Sequence, residues 1–153
     1  MKAFSNLLSD LILTSSRNRK LSLLEQYFSS TPDPDRGYAL AALTDSLNFK
    51  NIKASFFKNL IKEKQDEHLF DLSYDYVGDL AETISLLWDQ EKSGNMPRLS
   101  SLFENLKKAK TDELKNYIIK ILNISTADQR WAFIKLFTGG LRIGVSSRLV
   151  KQA

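Results

Sequence analysis

The stretches FSNLLSDLI (residues 4–12) and LKNYIIKIL (residues 114–122) carry the same apolar pattern. In both, apolar side chains occupy positions i, i+3, i+4, i+7 and i+8, which is the spacing of one face of an α-helix. No segment shows a sustained period-2 run of β-branched residues, the pattern of a half-buried strand. The sequence therefore predicts an all-α protein.

The breaks between such helical stretches are well marked. TPDPDRG (residues 31–37) is a Pro/Asp turn that is expected to open a short helix. Gly78 and Asp79 interrupt a helical stretch, and Asp79 is placed to cap the helix carrying Leu80 to Trp88. Thr126 with Gln129 has the spacing of a capping box. The connections are short and no repeat period is visible. We predict one domain over residues 1–153, a compact bundle of about eight or nine helices.

Composition excludes several classes of protein. The chain has 153 residues, 42% of them hydrophobic and 26% charged, as in an ordinary soluble globular domain. It contains no cysteine and one histidine, His68, so neither a disulfide framework nor a zinc centre is expected. No apolar run approaches the length that crosses a bilayer. The N-terminal stretch is interpreted as a first amphipathic helix and not as a signal peptide.

Charge is distributed unevenly along the chain. Residues 1–64 hold 10 Lys or Arg against 6 acids, residues 65–91 hold 8 acids and no Lys or Arg, and residues 92–153 hold 12 Lys or Arg against 4 acids. This pattern predicts one positive and one negative face, and the positive face is suited to a polyanion. Segregation of solvated charge by helix is the plainer interpretation.

The stretch TSSRNRK (residues 14–20) joins two amphipathic helices. Ser15 or Ser16 can cap the second helix, and Arg17, Arg19 and Lys20 then fall in its first turn. Cations are unfavourable at that positive end of the helix dipole unless an anion binds there. A phosphate would satisfy the amides and the cations together. An ordinary capped turn with solvated charges is the alternative.

The stretch FTGGLRIGVSSRLV (residues 137–150) concentrates unusual chemistry in one connection. Its glycines permit positive φ and close approach of a ligand to the backbone. Arg142 stands among them and can fork onto a phosphate, and Ser146 and Ser147 sit at the start of a last helix. These are the parts of a phosphate clamp, although a tight joint between two helices would also use glycine and serine.

The aromatic residues are interpreted as structural. Trp88 and Trp131 lie on apolar stripes and are predicted to pack in the core. Tyr74 and Tyr76 can be partly exposed, but packing between helices is favoured for them over stacking on nucleic-acid bases.

Three stretches, TSSRNRKLSLLEQYF, YDYVGDLAETISLLW and FTGGLRIGVSSRLVKQA, resemble the N-terminal DNA-binding domain of ATP-dependent DNA ligases, and bacterial ligases in particular. The resemblance covers essentially the whole chain, and GGLRIGVS is its most specific element. It implies an all-helical domain that grips nicked duplex DNA across the minor groove through phosphate and sugar. The implied role is support of nick sealing in repair, replication or recombination.

Carried onto this sequence, the resemblance places the DNA contacts in the Ser16–Arg17 turn and in the glycine-rich loop. No catalytic residue and no metal ligand is predicted. The predicted DNA-binding residues are Ser16, Arg17, Asn18, Lys20, Thr138, Gly139, Gly140, Arg142, Gly144, Ser146, Ser147 and Arg148.

The family's catalytic lysine motif, K-x-D-G, does not occur in this chain. The nearest stretch, Lys64-Gln65-Asp66-Glu67, has glutamate in place of glycine and is interpreted as chance. The resemblance implies that the parent enzyme uses ATP and Mg²⁺, that this segment holds no cofactor, and that it is inactive alone. The chain ends at Ala153, where the family's polypeptide continues into its adenylation domain. We therefore expect a piece of a longer protein or a truncated product.

The remaining expectations concern the oligomeric state, the cellular setting and two alternative functions. We expect a monomer in the bacterial cytoplasm, associated with the nucleoid and with no membrane. One rival is an all-α protein-interaction module with no nucleic-acid role, which predicts an exposed apolar patch instead of a basic surface around Arg142. The other is a free-standing helical enzyme, which predicts a pocket with convergent titratable groups.

Overall fold

The structure is a computed structural model that describes residues 1–47, 49, 52–89, 94–138 and 144–153. Over these residues the protein is all-helical, without strands, so the predicted fold class is confirmed. Nine of the ten described helices have eight residues or more. They are α1 (Lys2–Leu13), α2 (Arg17–Ser30), α3 (Asp35–Leu43), α4 (Ala54–Lys64), α5 (Glu67–Val77), α6 (Leu80–Leu87), α7 (Leu99–Lys108), α8 (Thr111–Ile124), α9 (Ala127–Lys135) and α10 (Ser147–Gln152).

The chain divides into two compact units, each assembled from segments distant in sequence. The first comprises Met1–Asn48, Pro97–Ala109 and Leu141–Ala153, and therefore holds α1, α2, α3, α7 and α10. The second comprises Phe49–Met96 and Lys110–Gly140 and holds α4, α5, α6, α8 and α9. Neither unit is one continuous stretch of chain. A single domain over residues 1–153 stays a prediction.

The core of the first unit is built on the apolar face of α1. Phe4, Leu8 and Leu11 are buried there, as the helical spacing predicts. Ile12, the last member of the same stripe, is instead 47% exposed. Helix α2 packs on α1, and the rings of Phe4 and Tyr27 lie 6.2 Å apart.

Asp35 connects α3 to α7 within the first unit. Its carboxylate accepts a hydrogen bond from the backbone amide of Ser100 at 3.0 Å and forms an ion pair with Arg98 at 3.3 Å. Partial burial acts to raise the pKa of this carboxyl, but the bonds from Ser100 and Arg98 outweigh it, so the net shift is downward. Close by, the ring of Tyr38 stacks on Phe103 at 5.3 Å.

The second unit is built around an aromatic cluster and the contact between α6 and α9. Phe133 lies 6.4 Å from Phe57 and 5.2 Å from Phe137, measured between ring centroids. Trp88 is buried, as predicted, and its indole Nε1 donates to Asn123 Oδ1 at 2.9 Å. Trp131 is only half-buried, which the apolar stripe did not indicate.

The joint between α5 and α6 follows the predicted local chemistry. Gly78 ends α5 in the left-handed conformation at φ 77°, which strains other residues. Asp79 then caps α6, since its side chain accepts from the amide of Glu82 at 3.1 Å. The same carboxylate pairs with Lys135 of α9 at 2.7 Å, which fixes α6 against its main packing partner. The capping box of Thr126 and Gln129 is also confirmed.

Candidate functional site

The N-terminus of α2 is an exposed, basic helix end. Ser16 caps the helix, since its hydroxyl accepts from the amide of Arg19 at 3.3 Å. The amides of Arg17 and Asn18 have no acceptor among the described residues, and both residues are exposed. No acid lies in the first turn. The helix end therefore presents two amide donors and the positive end of its dipole to solvent.

Lys20 connects this helix end to the segment that follows the glycine-rich loop. Its ammonium donates to the carbonyl of Gly144 at 2.9 Å, across 124 residues of sequence. Gly144 adopts φ 70°, and a Cβ built on it lies 2.7 Å from Lys20 Nζ. Glycine is thus favoured here by the backbone conformation, whereas the end of the lysine side chain could move to admit a Cβ. The ammonium retains two further donors.

Arg17 makes a second connection, to α10. Its guanidinium donates to Gln152 Oε1 at 3.3 Å, and α10 packs on α2. Ser146 caps α10 by accepting from the amide of Leu149 at 3.2 Å, and Leu149 and Val150 are buried. The short helix is therefore anchored through its apolar face.

The structure brings together eight of the twelve residues predicted to bind DNA, at the start of α2 and in the segment from residue 144 onward. Of these, Lys20 is half-buried and the others are exposed. They are Ser16, Arg17, Asn18, Lys20, Gly144, Ser146, Ser147 and Arg148. We name this set the α2–α10 surface.

The other four predicted residues are not assembled by the described structure. Thr138 belongs to the second unit, where its hydroxyl donates to the carbonyl of Ile134 at 3.1 Å and so serves the end of α9. Gly139, Gly140 and Arg142 lie outside the described residues. Their proposed role in binding DNA stays a prediction.

The α2–α10 surface has the chemistry of a phosphate site. Arg17, Arg19 and Arg148 are exposed cations, and the amides at the start of α2 are uncompensated donors. The first turns of both helices lack acids. A sugar–phosphate backbone supplies the anionic acceptors that such a surface lacks.

The described residues include neither a metal-binding cluster nor a membrane-spanning helix. The described part of the chain contains no group of three or more His, Cys, Asp or Glu side chains arranged to hold a metal ion. None of its helices combines the length and hydropathy that a membrane span requires.

Fold and site together define an all-helical domain with a basic, helix-end surface suited to phosphates. The family model described as DNA ligase N terminus matches residues 1–153, and the chain belongs to this family, the N-terminal domain of ATP-dependent DNA ligases. The resemblance found in the sequence is thereby confirmed at the level of the family. A search of curated proteins found no match.

Two features of the second unit were missed by sequence reasoning. Arg130 is 3% exposed and donates to the backbone carbonyls of Ser85, Trp88 and Ser125. Tyr76, expected to pack between helices, is 94% exposed, so that prediction is wrong. An available signal for the second feature was the surplus of apolar residues on α5, which exceed what one buried face needs.

Proposed function

We propose that this chain grips nicked duplex DNA through sugar and phosphate contacts in the minor groove, and so supports nick sealing in repair, replication or recombination. The observation that carries the proposal is the meeting of the α2 N-terminus with the segment 144–152, through Lys20 to Gly144 and Arg17 to Gln152. Two sequence regions that the family resemblance singled out thus form one basic surface. Family membership associates such a domain with DNA in general.

The physical basis of the grip is neutralisation of phosphate charge. Each cation that pairs with a phosphate releases condensed counterions, so affinity depends on salt and little on base sequence. The backbone amides of Arg17 and Asn18 add directional bonds to phosphate oxygens. A nick lowers the cost of bending or widening the duplex, because backbone continuity is already lost there. We therefore infer a preference for nicked over intact duplex.

The chemistry of sealing belongs, in this proposal, to the rest of a parent ligase. ATP and Mg²⁺ would supply activation of the 5′-phosphate there, whereas this segment holds neither and is inactive alone. Its contribution is positional, since a DNA grip raises the effective concentration of tethered catalytic domains at the break. A monomer in the bacterial cytoplasm, associated with the nucleoid, is the setting we propose.

Fluorescence anisotropy with nicked and intact duplexes tests this function. For about six phosphate contacts, we expect affinity for nicked duplex to fall roughly a thousandfold between about 50 and 200 mM salt. The intact duplex is expected to bind several-fold more weakly at each salt concentration. Absence of duplex binding at the lowest salt would contradict the proposal. Equal binding of the two duplexes would overturn the nick preference alone.

A further inference from the structure

An apolar groove opens between α5 and α6 in the second unit. Leu72, Tyr76 and Val77 line it from α5, and Leu86 and Leu87 line it from α6. The groove has a volume of about 320 Å³. It is distinct from the α2–α10 surface, because all of its lining residues belong to the second unit.

The side chains of the groove are unusually exposed for their size and polarity. Tyr76 is 94% exposed, Leu86 is 64% exposed and Leu72 is 55% exposed. Single exposed apolar residues are common on proteins, but a contiguous group around a groove marks a surface that binds another molecule.

Helix α5 is apolar on two faces. Phe70 faces the core and is buried, whereas Leu69, Leu72 and Tyr76 recur at i, i+3 and i+7 on an exposed face. Only the first face is needed to hold the helix in place. The second face is therefore available to bury against a partner.

The segment that forms this groove is acidic. Residues 65–91 include eight acids, and α5 and α6 contribute no lysine or arginine of their own. Asp75 adjoins Tyr76 on α5, and Glu82 lies one turn before Leu86 on α6; both are exposed. Neither carboxylate forms an ion pair within the described residues.

Neighbouring elements offset part of this charge. Lys135 of α9 pairs with Asp79, and Lys62 of α4 pairs with Glu67. Lys58 and Lys62 also share a cleft with Asp71 and Asp75 on the side of α5 that faces α4. Glu82, on the α6 side, has no such neighbour among the described contacts. The rim of the groove therefore stays negative along α6, at Glu82.

We propose that the α5–α6 groove docks a basic amphipathic helix of a protein partner. Apolar side chains of that helix, spaced at i, i+3 or i+4 and i+7, would fill the groove beside Leu72, Tyr76 and Leu86, while its lysines or arginines face Glu82. The acidic rim repels nucleic acid from this face. It also disfavours a symmetric contact between two copies of the chain, in which equal acidic rims would meet.

The probe for this proposal is a synthetic helical peptide of about 16 residues, with leucines at that spacing and lysines at the other positions. Its binding to the full chain is measured by isothermal titration calorimetry without DNA. We expect saturable one-to-one binding that Leu72→Ser combined with Leu86→Ser weakens at least tenfold. Glu82→Lys is expected to weaken binding several-fold, because it reverses charge at the rim and leaves the apolar lining intact.

Two controls separate this groove from non-specific attraction. Leu13→Ser removes a side chain that is 84% exposed at the end of α1, in the first unit, and is expected to leave peptide binding unchanged. A peptide with the same leucines and glutamates in place of the lysines is expected not to bind. Circular dichroism checks that each variant keeps its helical content.

The proposal is overturned if the glutamate peptide binds as well as the lysine peptide, or if Leu13→Ser weakens binding as much as the groove variants do. It is also overturned if the unliganded chain self-associates in sedimentation and the groove variants abolish that association, since a second copy is then the occupant. Duplex DNA binding measured on the same groove variants is expected to stay unchanged. The docking proposal and the DNA-binding proposal therefore fail independently.

Discussion

Replacing Arg130 by methionine is expected to lower the free energy of unfolding by about 3–5 kcal/mol. The guanidinium bonds Ser85 at 2.7 Å and Ser125 at 2.9 Å, and also bonds Trp88. These carbonyls close the C-terminal ends of α6 and α8, where backbone acceptors lack helical partners. Methionine fills a similar volume but donates no hydrogen bond, so buried carbonyls are left unsatisfied.

The charge of Arg130 favours the same arrangement. A cation is stabilised at the negative end of a helix dipole, and Arg130 meets two such ends. Burial lowers the pKa of Arg130, and the nearby carboxylate of Asp89 opposes that shift. Because even a lowered arginine pKa stays far above neutrality, the side chain is charged throughout the physiological range.

Urea unfolding followed by far-ultraviolet circular dichroism measures this effect. Arg130→Lys keeps the charge but lacks the fork that reaches three carbonyls, so we expect it to recover only part of the loss. Lys120→Met, on an exposed position of α8 in the same unit, is the matched control and is expected to change stability by less than about 0.5 kcal/mol. A loss below about 1 kcal/mol for Arg130→Met would contradict the role assigned to this arginine.

Reversing the charge of Arg17 and Lys20 together is expected to weaken nicked-duplex binding at least about thirtyfold at 100 mM salt. Each of the two substitutions removes an attraction to phosphate and adds a repulsion at the positive end of α2. Arg17→Glu alone is expected to produce a large part of the loss. It leaves the bond between Lys20 and Gly144 in place, so the effect reports on charge and not on local unfolding.

The matched control changes the net charge by the same amount elsewhere in the first unit. Lys2 and Lys108 are exposed, at the start of α1 and the end of α7. Converting both to glutamate is expected to reduce affinity only a few-fold, through the long-range field. If the Lys2 and Lys108 double variant lost as much affinity for nicked duplex as the Arg17 and Lys20 double variant, binding would depend on net charge and the site assignment would be wrong.

The sequence predicted the features that local chemistry determines. Helical spacing identified the buried face of α1, and the residue types at positions 78, 79, 126 and 129 identified a helix end and two caps. These depend on residues within one or two turns of one another, so one sequence is sufficient to find them. For the same reason the sequence limited the cap at the candidate site to Ser15 or Ser16, and the structure has Ser16 in that role.

Features that depend on distant residues were not predictable in this way. Arg130 donates to carbonyls 42 and 45 residues away, and the residue type at a position does not show that its backbone carbonyl accepts such a bond. The bond from Arg17 to Gln152 spans 135 residues, and Gln152 was not among the predicted site residues. The α5–α6 groove was missed because the apolar pattern shows that α5 has two faces, but not which of them another helix covers.

A titration of the ¹⁵N-labelled chain with a nicked duplex, followed by ¹H–¹⁵N NMR, tests the central claim most directly. If the α2–α10 surface binds the sugar–phosphate backbone, the amides of Arg17, Asn18, Ser147 and Arg148 shift most among the described residues, and added salt reverses those shifts. If the resonances of these amides do not shift while resonances of α5 and α6 shift on addition of DNA, the α2–α10 surface is not the DNA-binding site.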